Sequence, residues 1–320
     1  MKVSEIVRIM GEPPRAKLKV KSLHRHSAIL RSFLFAFCSL RVMPAMANII
    51  ATGGTVSQTT EFLDGAKMCT RVTTIYSFTN PAEAGSITFD EATTVDVLVV
   101  GGGAGGGGRE DGIAGAGGGG GGEVVYRTGF PVMAGTYPVT VGAGGAGRNA
   151  SHFASDGGVS SIFSLSALGG CASTNSYSGG ASGNGNVGGT GTVQSGYGGG
   201  GGAGGSGANA NGKVGGSGGN GVECAITGES RWYGGGGGGG SGAEDGTGGF
   251  GVHGGGNGGV YDGKITAATP GVDGTGGGGG GAGQRMIDDG TKWPAAGGSG
   301  TVIVCIHKPV KKDGLILFVR

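Results

Sequence analysis

Short runs with strand chemistry are the first order visible in this chain. Arg71-Val72-Thr73-Thr74-Ile75-Tyr76-Ser77-Phe78 puts Val72, Thr74, Tyr76 and Phe78 on one face, at the period-two spacing of a half-buried strand. Ser86-Ile87-Thr88-Phe89 repeats the alternation. Thr94–Val100 becomes nearly continuous Val and Leu, as a strand covered on both faces would. Glu123–Arg127, Thr136–Val141, Val159–Phe163 and Thr301–Ile306 complete the set. No segment outside the N-terminal leader carries the 3.6-residue stripe of an amphipathic helix. The pattern predicts an all-β domain.

Between these runs lie tracts of another kind: 101–108, 115–122, 142–147, 198–207, 215–221, 234–242, 253–259, 274–283 and 297–300. They are almost pure glycine. The chain holds 85 glycines in 320 residues, and 79 of them fall within 101–300. An average protein has about 7%. Helix is excluded for such tracts, since each glycine costs about 1 kcal/mol relative to alanine there. Strand is disfavoured for the same entropic reason. Coil or polyproline II, an extended helix of three residues per turn, remains. Its backbone groups need partners when buried, and glycine is the one residue that lets several such helices approach closely on every side. Several tracts abut strands (101–108 after Val100, 115–122 before Glu123, 297–300 before Thr301), and clamped ends reduce the entropy lost on packing. The tracts are therefore expected to fold. Collagen is excluded by nine prolines and the lack of a Gly-X-Y period.

Charge divides the chain again. Residues 1–47 carry nine Lys/Arg and two acids, then the nine-residue apolar run Ser32–Leu40, then Pro44-Ala45-Met46-Ala47. Basic, apolar, then A-x-A is the order of a secretory signal peptide cut before Asn48. The apolar run is half of the roughly 18 residues that a membrane span needs, so no span is expected. Removing the leader turns 23 basic and 21 acidic residues into 14 and 19, a net charge of −5. Such a chain has no electrostatic reason to bind nucleic acid. Cys69, Cys171, Cys224 and Cys305 are candidates for disulfides in an oxidising compartment, with buried thiols as the alternative. Their long spacings are unlike a zinc cluster, and no metal or other cofactor is expected.

Ala51–Thr55, Ile75–Phe78, Val95–Gly103, Gly122–Val125, Gly135–Gly145 and Gly298–Val304 occur in an order that resembles the glycine-rich domain of bacterial and phage surface proteins. That domain is similar in style to the extracellular glycine-rich region of anaplastic lymphoma kinase-type receptors. The resemblance covers roughly residues 51–307. It implies a tumour-necrosis-factor-like β-sandwich joined to a bundle of polyglycine II helices, with inter-helix loops that recognise a host surface in phage adhesins. The chain has no kinase region and no trimerisation segment of a tail fibre, and an exported bacterial protein fits it better. The resulting organisation is a leader (1–47), a glycine-rich β domain (48–307) and a tail (308–320).

Enzyme-like motifs carry no weight at this glycine content. Gly101–Gly106 satisfies G-x-G-x-x-G, but about six chance matches are expected, and no helix follows. Gly215-Gly216-Ser217-Gly218-Gly219 satisfies the nucleophile-elbow pattern, against about two by chance. The expectation is a non-enzymatic protein. Side chains able to recognise a ligand are concentrated in islands between tracts: Tyr177, Arg231, Trp232, Tyr233, Tyr261, Arg285 and Trp293. Aromatic residues and arginine are favoured recognition anchors. Their alternative role is to cap the ends of the glycine bundle. The functional expectation is binding of a cell-surface or glycan target outside the cell. The alternative is a structural envelope or matrix component without a discrete ligand.

Overall fold

The computed structural model describes residues 49–63, 68–107, 115–148, 153–173, 177–192, 195–242, 245–261, 265–284 and 294–309. The expected leader, Arg285, Trp293 and the tail beyond Pro309 lie outside those residues. Fourteen strands occur among the described residues, in the order Ile50–Thr52 (β1), Thr55–Leu63 (β2), Met68–Phe78 (β3), Gly85–Phe89 (β4), Thr93–Val100 (β5), Val124–Val132 (β6), Gly135–Val139 (β7), Ser160–Ile162 (β8), Leu165–Ala167 (β9), Val222–Cys224 (β10), Arg231–Tyr233 (β11), Val260–Tyr261 (β12), Ile265–Thr266 (β13) and Thr301–Pro309 (β14). Among the described residues the fold is all-β, without a helix.

Two sheets carry the core. One has the order β2-β3-β14-β5-β6 and the other β1-β4-β7, with every pairing antiparallel. Tyr76 and Phe78 of β3, Val95, Val97 and Val99 of β5, and Val302, Val304 and Ile306 of β14 form one cluster with Ile87 and Phe89 of β4 and Val139 of β7. The intervening residues Ile75, Leu98, Val100, Ile303 and Cys305 join a second cluster with Cys224, Ile226 and Tyr233. The central strands β5 and β14 are thus covered on both faces, which explains why they read as continuous apolar runs. Each fully buried Val, Ile, Leu or Phe contributes roughly 1.5–3 kcal/mol.

The chain crosses from one sheet to the other at Gly53-Gly54. Gly53 has φ +72°, and a Cβ on Gly54 would sit 2.7 Å from the Phe78 ring. A side chain at Gly54 would collide with the core, so the crossing needs glycine there. The strand expected over 159–163 is present as β8, and it continues through a turn at Phe163, whose φ is +57°, into a second strand, β9, that pairs back on it. Phe163 packs against Tyr137, Phe130 and Phe89 at centroid distances of 4.9, 5.7 and 6.1 Å. These contacts offset the strain of a non-glycine residue in that region. Strand β14 runs past the expected boundary at 307 and pairs Pro309 with Arg71.

The glycine tracts are extended segments bonded to one another through their backbones. Gly118 and Gly121 donate to Gly198 and Gly201, and Gly119 and Gly122 donate to Gly279 and Gly276. Gly120 and Glu123 donate to Cys171 and Leu168, while Ala104 and Gly107 donate to Gly120 and Gly117. Gly180 and Gly183 donate to Gly118 and Gly121, and Gly237 and Gly240 to Gly119 and Ala116. Residues three apart face the same neighbour, and neighbours lie on all sides of 115–122. Side chains have no room in such packing: a Cβ on Gly118, Gly120 or Gly121 would lie 2.1, 1.9 or 2.2 Å from a carbonyl oxygen of another segment. The glycine excess is a steric requirement of this arrangement.

Candidate functional site

With many of the tracts' backbone donors bonded to other tracts, the side chains that emerge between tracts are the candidates for recognition. The hairpin β10–β11 presents the best-built group. Its turn is closed by Gly228 N–H donating to the Ala225 carbonyl at 2.9 Å. Val222 pairs with Tyr233, Glu223 with Trp232 and Cys224 with Arg231. Alternation sends Cys224 and Tyr233 into the second core cluster and leaves Glu223 and Trp232 exposed. The buried pair anchors the hairpin, and the exposed pair forms its outward surface.

Trp232 is 40% exposed although its ring stacks on His253, with centroids 3.8 Å apart and planes 12° off parallel. One indole face is therefore covered, and the residue is still exposed. His253 lies in the turn Val252–Gly255, closed by Gly255 N–H donating to the Val252 carbonyl at 2.9 Å. Both central residues have positive φ, +48° for His253 and +93° for Gly254. His253 Nδ1 accepts a hydrogen bond from Gly221 N–H at 3.2 Å, which ties the imidazole to the end of a glycine tract. Ser230 hydroxyl donates to Glu223 Oε1, which holds one oxygen of that carboxylate. Arg231 and Glu229 form an exposed ion pair at 3.7 Å.

The structure therefore groups Arg231, Trp232 and Tyr233 on one strand, with different roles. Tyr233 is 4% exposed and belongs to the core, where burial raises its phenol pKa, opposed by nearby Arg231. It supports the site from below. Tyr177 stands apart, stacked on Tyr197 with centroids 6.3 Å apart. Tyr197 is buried, and its hydroxyl accepts the Gly115 N–H at 2.8 Å at the start of a glycine tract. Tyr261 lies in β12, with its side chain outside the description. Glu223 and His253 were not singled out in the sequence. Only the hairpin register sets Glu223 opposite Trp232, and His253 is 21 positions from Trp232, so the fold alone joins the three.

Cys171 and Cys224 are free thiols, Cys305 Sγ lies 3.7 Å from His307 Nε2, and the side chain of Cys69 in β3 is outside the description. Cys224 and Cys305 pack as small apolar side chains, the alternative to disulfides. Burial raises the Cys224 thiol pKa, partly offset by a backbone hydrogen bond from Ile226.

Two other polar groups are less suited to bind a ligand. A depression between Thr79, Asn80, Gly144, Asp273, Gly297 and Ser299 spends its polar atoms internally. Asp273 accepts Ser299 N–H at 2.9 Å, and Ser299 Oγ accepts Gly274 N–H at 3.0 Å. On the five-stranded sheet, His307 Nε2 lies 3.2 Å from Asp96 Oδ2 and 3.7 Å from Cys305 Sγ, while Nδ1 is 2.9 Å from Thr73 Oγ1. Asp96 Oδ1 accepts Gly129 N–H at 2.9 Å. That cluster fastens β3, β14, β5 and β6 together.

A family model described as a glycine-rich domain matches residues 79–306. The chain belongs to the glycine-rich domain family. No curated protein matches it. The family match begins just after β3, yet β3 pairs with β14 from Val302 to Pro309. The glycine-rich domain therefore draws on strands that precede the matched region to complete its larger sheet. Among its described residues no helix is long and apolar enough to cross a membrane.

Proposed function

We propose that this glycine-rich domain protein is exported, non-enzymatic and binds a cell-surface or glycan target through side chains between its glycine tracts. In this reading the two core-sharing sheets are a tumour-necrosis-factor-like β-sandwich, and the tracts are a polyglycine II bundle. The three-residue recurrence of the hydrogen bonds supports the latter, since polyproline II-type helices have three residues per turn. Residues 1–47 act as the signal peptide, and the product is extracellular or at the surface of a bacterial cell.

The observation that carries the binding reading is Trp232, 40% exposed on a hairpin whose opposite face is locked into the core. A rigid support presenting an aromatic anchor loses little entropy on binding. The test is a panel of glycans and whole cells exposed to the secreted protein. Saturable binding that Trp232→Ala weakens at unchanged thermal stability is expected. Absence of any ligand would favour the structural reading, an envelope or matrix component, which the extensive hydrogen bonding between tracts also suits. N-terminal sequencing of the secreted protein is expected to begin at Asn48; a product that retains Met1 would contradict export through this leader.

A further inference from the structure

We infer that Trp232, Glu223 and His253 form a subsite for one neutral hexose unit, recognised through the C–H face of its ring and a rim hydroxyl. The inference rests on the glycan-binding reading and names the chemistry within it.

His253 stacks on one face of the indole at 3.8 Å, and Trp232 still keeps 40% of its surface exposed to a ligand. A pyranose has a face of axial C–H bonds that packs on such a ring, with hydroxyls at its edge. Glu223 is directly opposite Trp232 in the hairpin register. Directly opposed residues have Cβ atoms about 4.5–5.5 Å apart, so an edge hydroxyl of a ring on the indole falls within reach of the carboxylate. A carboxylate is an acceptor, and a sugar hydroxyl is a donor. Ser230 holds Oε1, leaving Oε2 to take the ligand hydroxyl in a charge-assisted bond.

Competing occupants fit less well. An apolar side chain on the indole would strip water from Glu223 without replacing its hydrogen bonds. An anionic group meets the same carboxylate.

His253 is the positioning residue. It sits at φ +48°, a region costly for a residue with a Cβ, in a turn that Asn or Gly would fill without strain. A conformation of that kind is retained where the side chain is needed. Here the side chain links Gly221 of the rigid tract to the indole and sets the ring's orientation.

The experiment uses the full-length protein and the methyl glycosides of glucose, galactose and mannose, followed by saturation-transfer NMR and titration. Binding of at least one glycoside is expected, with transfer concentrated on the ring protons of one sugar face. Trp232→Ala should abolish it, and Glu223→Gln should weaken it roughly 10-fold or more, the effect of a hydrogen bond to a charged group. His253→Asn should weaken binding while keeping or raising thermal stability, which separates positioning from a structural role. Deoxy glycosides lacking one hydroxyl should lose the Glu223→Gln effect at the position that contacts the carboxylate. Three results overturn the inference. If sugars bind unaffected by Glu223→Gln and His253→Asn, the subsite falls while the glycan reading stands. If a lysine-rich peptide binds through Trp232 and Glu223 and no sugar does, the site is cationic. If neither sugars, glycans nor cells are bound, both readings fall together.

Discussion

At the scale of single residues, the absent Cβ decides most of this structure. A methyl group on Gly237 would lie 2.1 Å from the Gly279 carbonyl oxygen, and its other near neighbours are backbone too. Nothing there can rotate away. Gly237→Ala is therefore expected to cost about 3 kcal/mol or more in a urea titration, at or beyond the upper range for overpacking. Gly205 is the control: its nearest atom would be 4.0 Å away and its φ is ordinary, so Gly205→Ala should change stability by less than about 1 kcal/mol. Equal effects at the two positions would contradict the packing described. The cysteines provide a second test. Cys171 is exposed, although partial burial and then Asp156 raise its thiol pKa, whereas Cys224 and Cys305 are buried. A thiol reagent is expected to label Cys171 in the folded protein and the other two only after unfolding. Labelling of Cys305 at the rate of Cys171 would contradict its place in the core.

At the scale of elements, the sheet is fastened where its pairing is irregular. The β5–β6 register shifts between Val95 and Val97, and Asp96 in the gap gives its side chain to Gly129 N–H and His307. Asp96→Ala leaves both without that partner. A cost of about 1–2 kcal/mol is expected by thermal or urea unfolding, since the carboxylate is largely shielded from water. Asp96→Asn, which retains an acceptor, should cost less; the reverse order would show that the cluster does not act as a fastener. These elements were unequally legible in the sequence. Strands β3, β4, β5, β6, β7 and β14 were visible because their apolar residues follow the faces they bury. Strand β2, Thr-Val-Ser-Gln-Thr-Thr-Glu-Phe-Leu, was not, since an edge strand whose first residues are exposed needs no apolar alternation. Hairpin β10–β11 was seen only as an island of side chains. With three residues per strand it is too short for periodicity, and its inward pair, Cys224 and Tyr233, became interpretable once the second cluster lay beneath it.

At the scale of the whole molecule, ionisable groups with raised pKa values set how stability responds to alkali. Tyr76, Tyr126, Tyr233, Cys171 and Cys224 are all shifted upward, with burial the leading cause in each. Their protons are held more tightly folded than unfolded. Stability is then unaffected below the ordinary thiol and phenol values of 9.0 and 10.0, and falls as pH rises through and above them, because the unfolded chain releases protons first. A urea midpoint that is flat up to pH 8 and declines steadily above pH 9 is expected; a rise would contradict the burial of these groups. The folding of the tracts was legible from their clamped ends. Which tract meets which was not, because glycine segments are interchangeable as letters and only the sheet fixes their order. The claim on which everything else stands is that the tracts form one ordered, mutually hydrogen-bonded body. Amide hydrogen exchange measures it directly. Gly118, Gly119, Gly121, Gly122, Gly237 and Gly278 donate to carbonyls of other tracts, so their amides should exchange at least about 1,000-fold more slowly than in an unfolded chain, together with the amides of β5 and β14. Exchange of those glycines at unfolded rates, while the strands stay protected, would contradict the account.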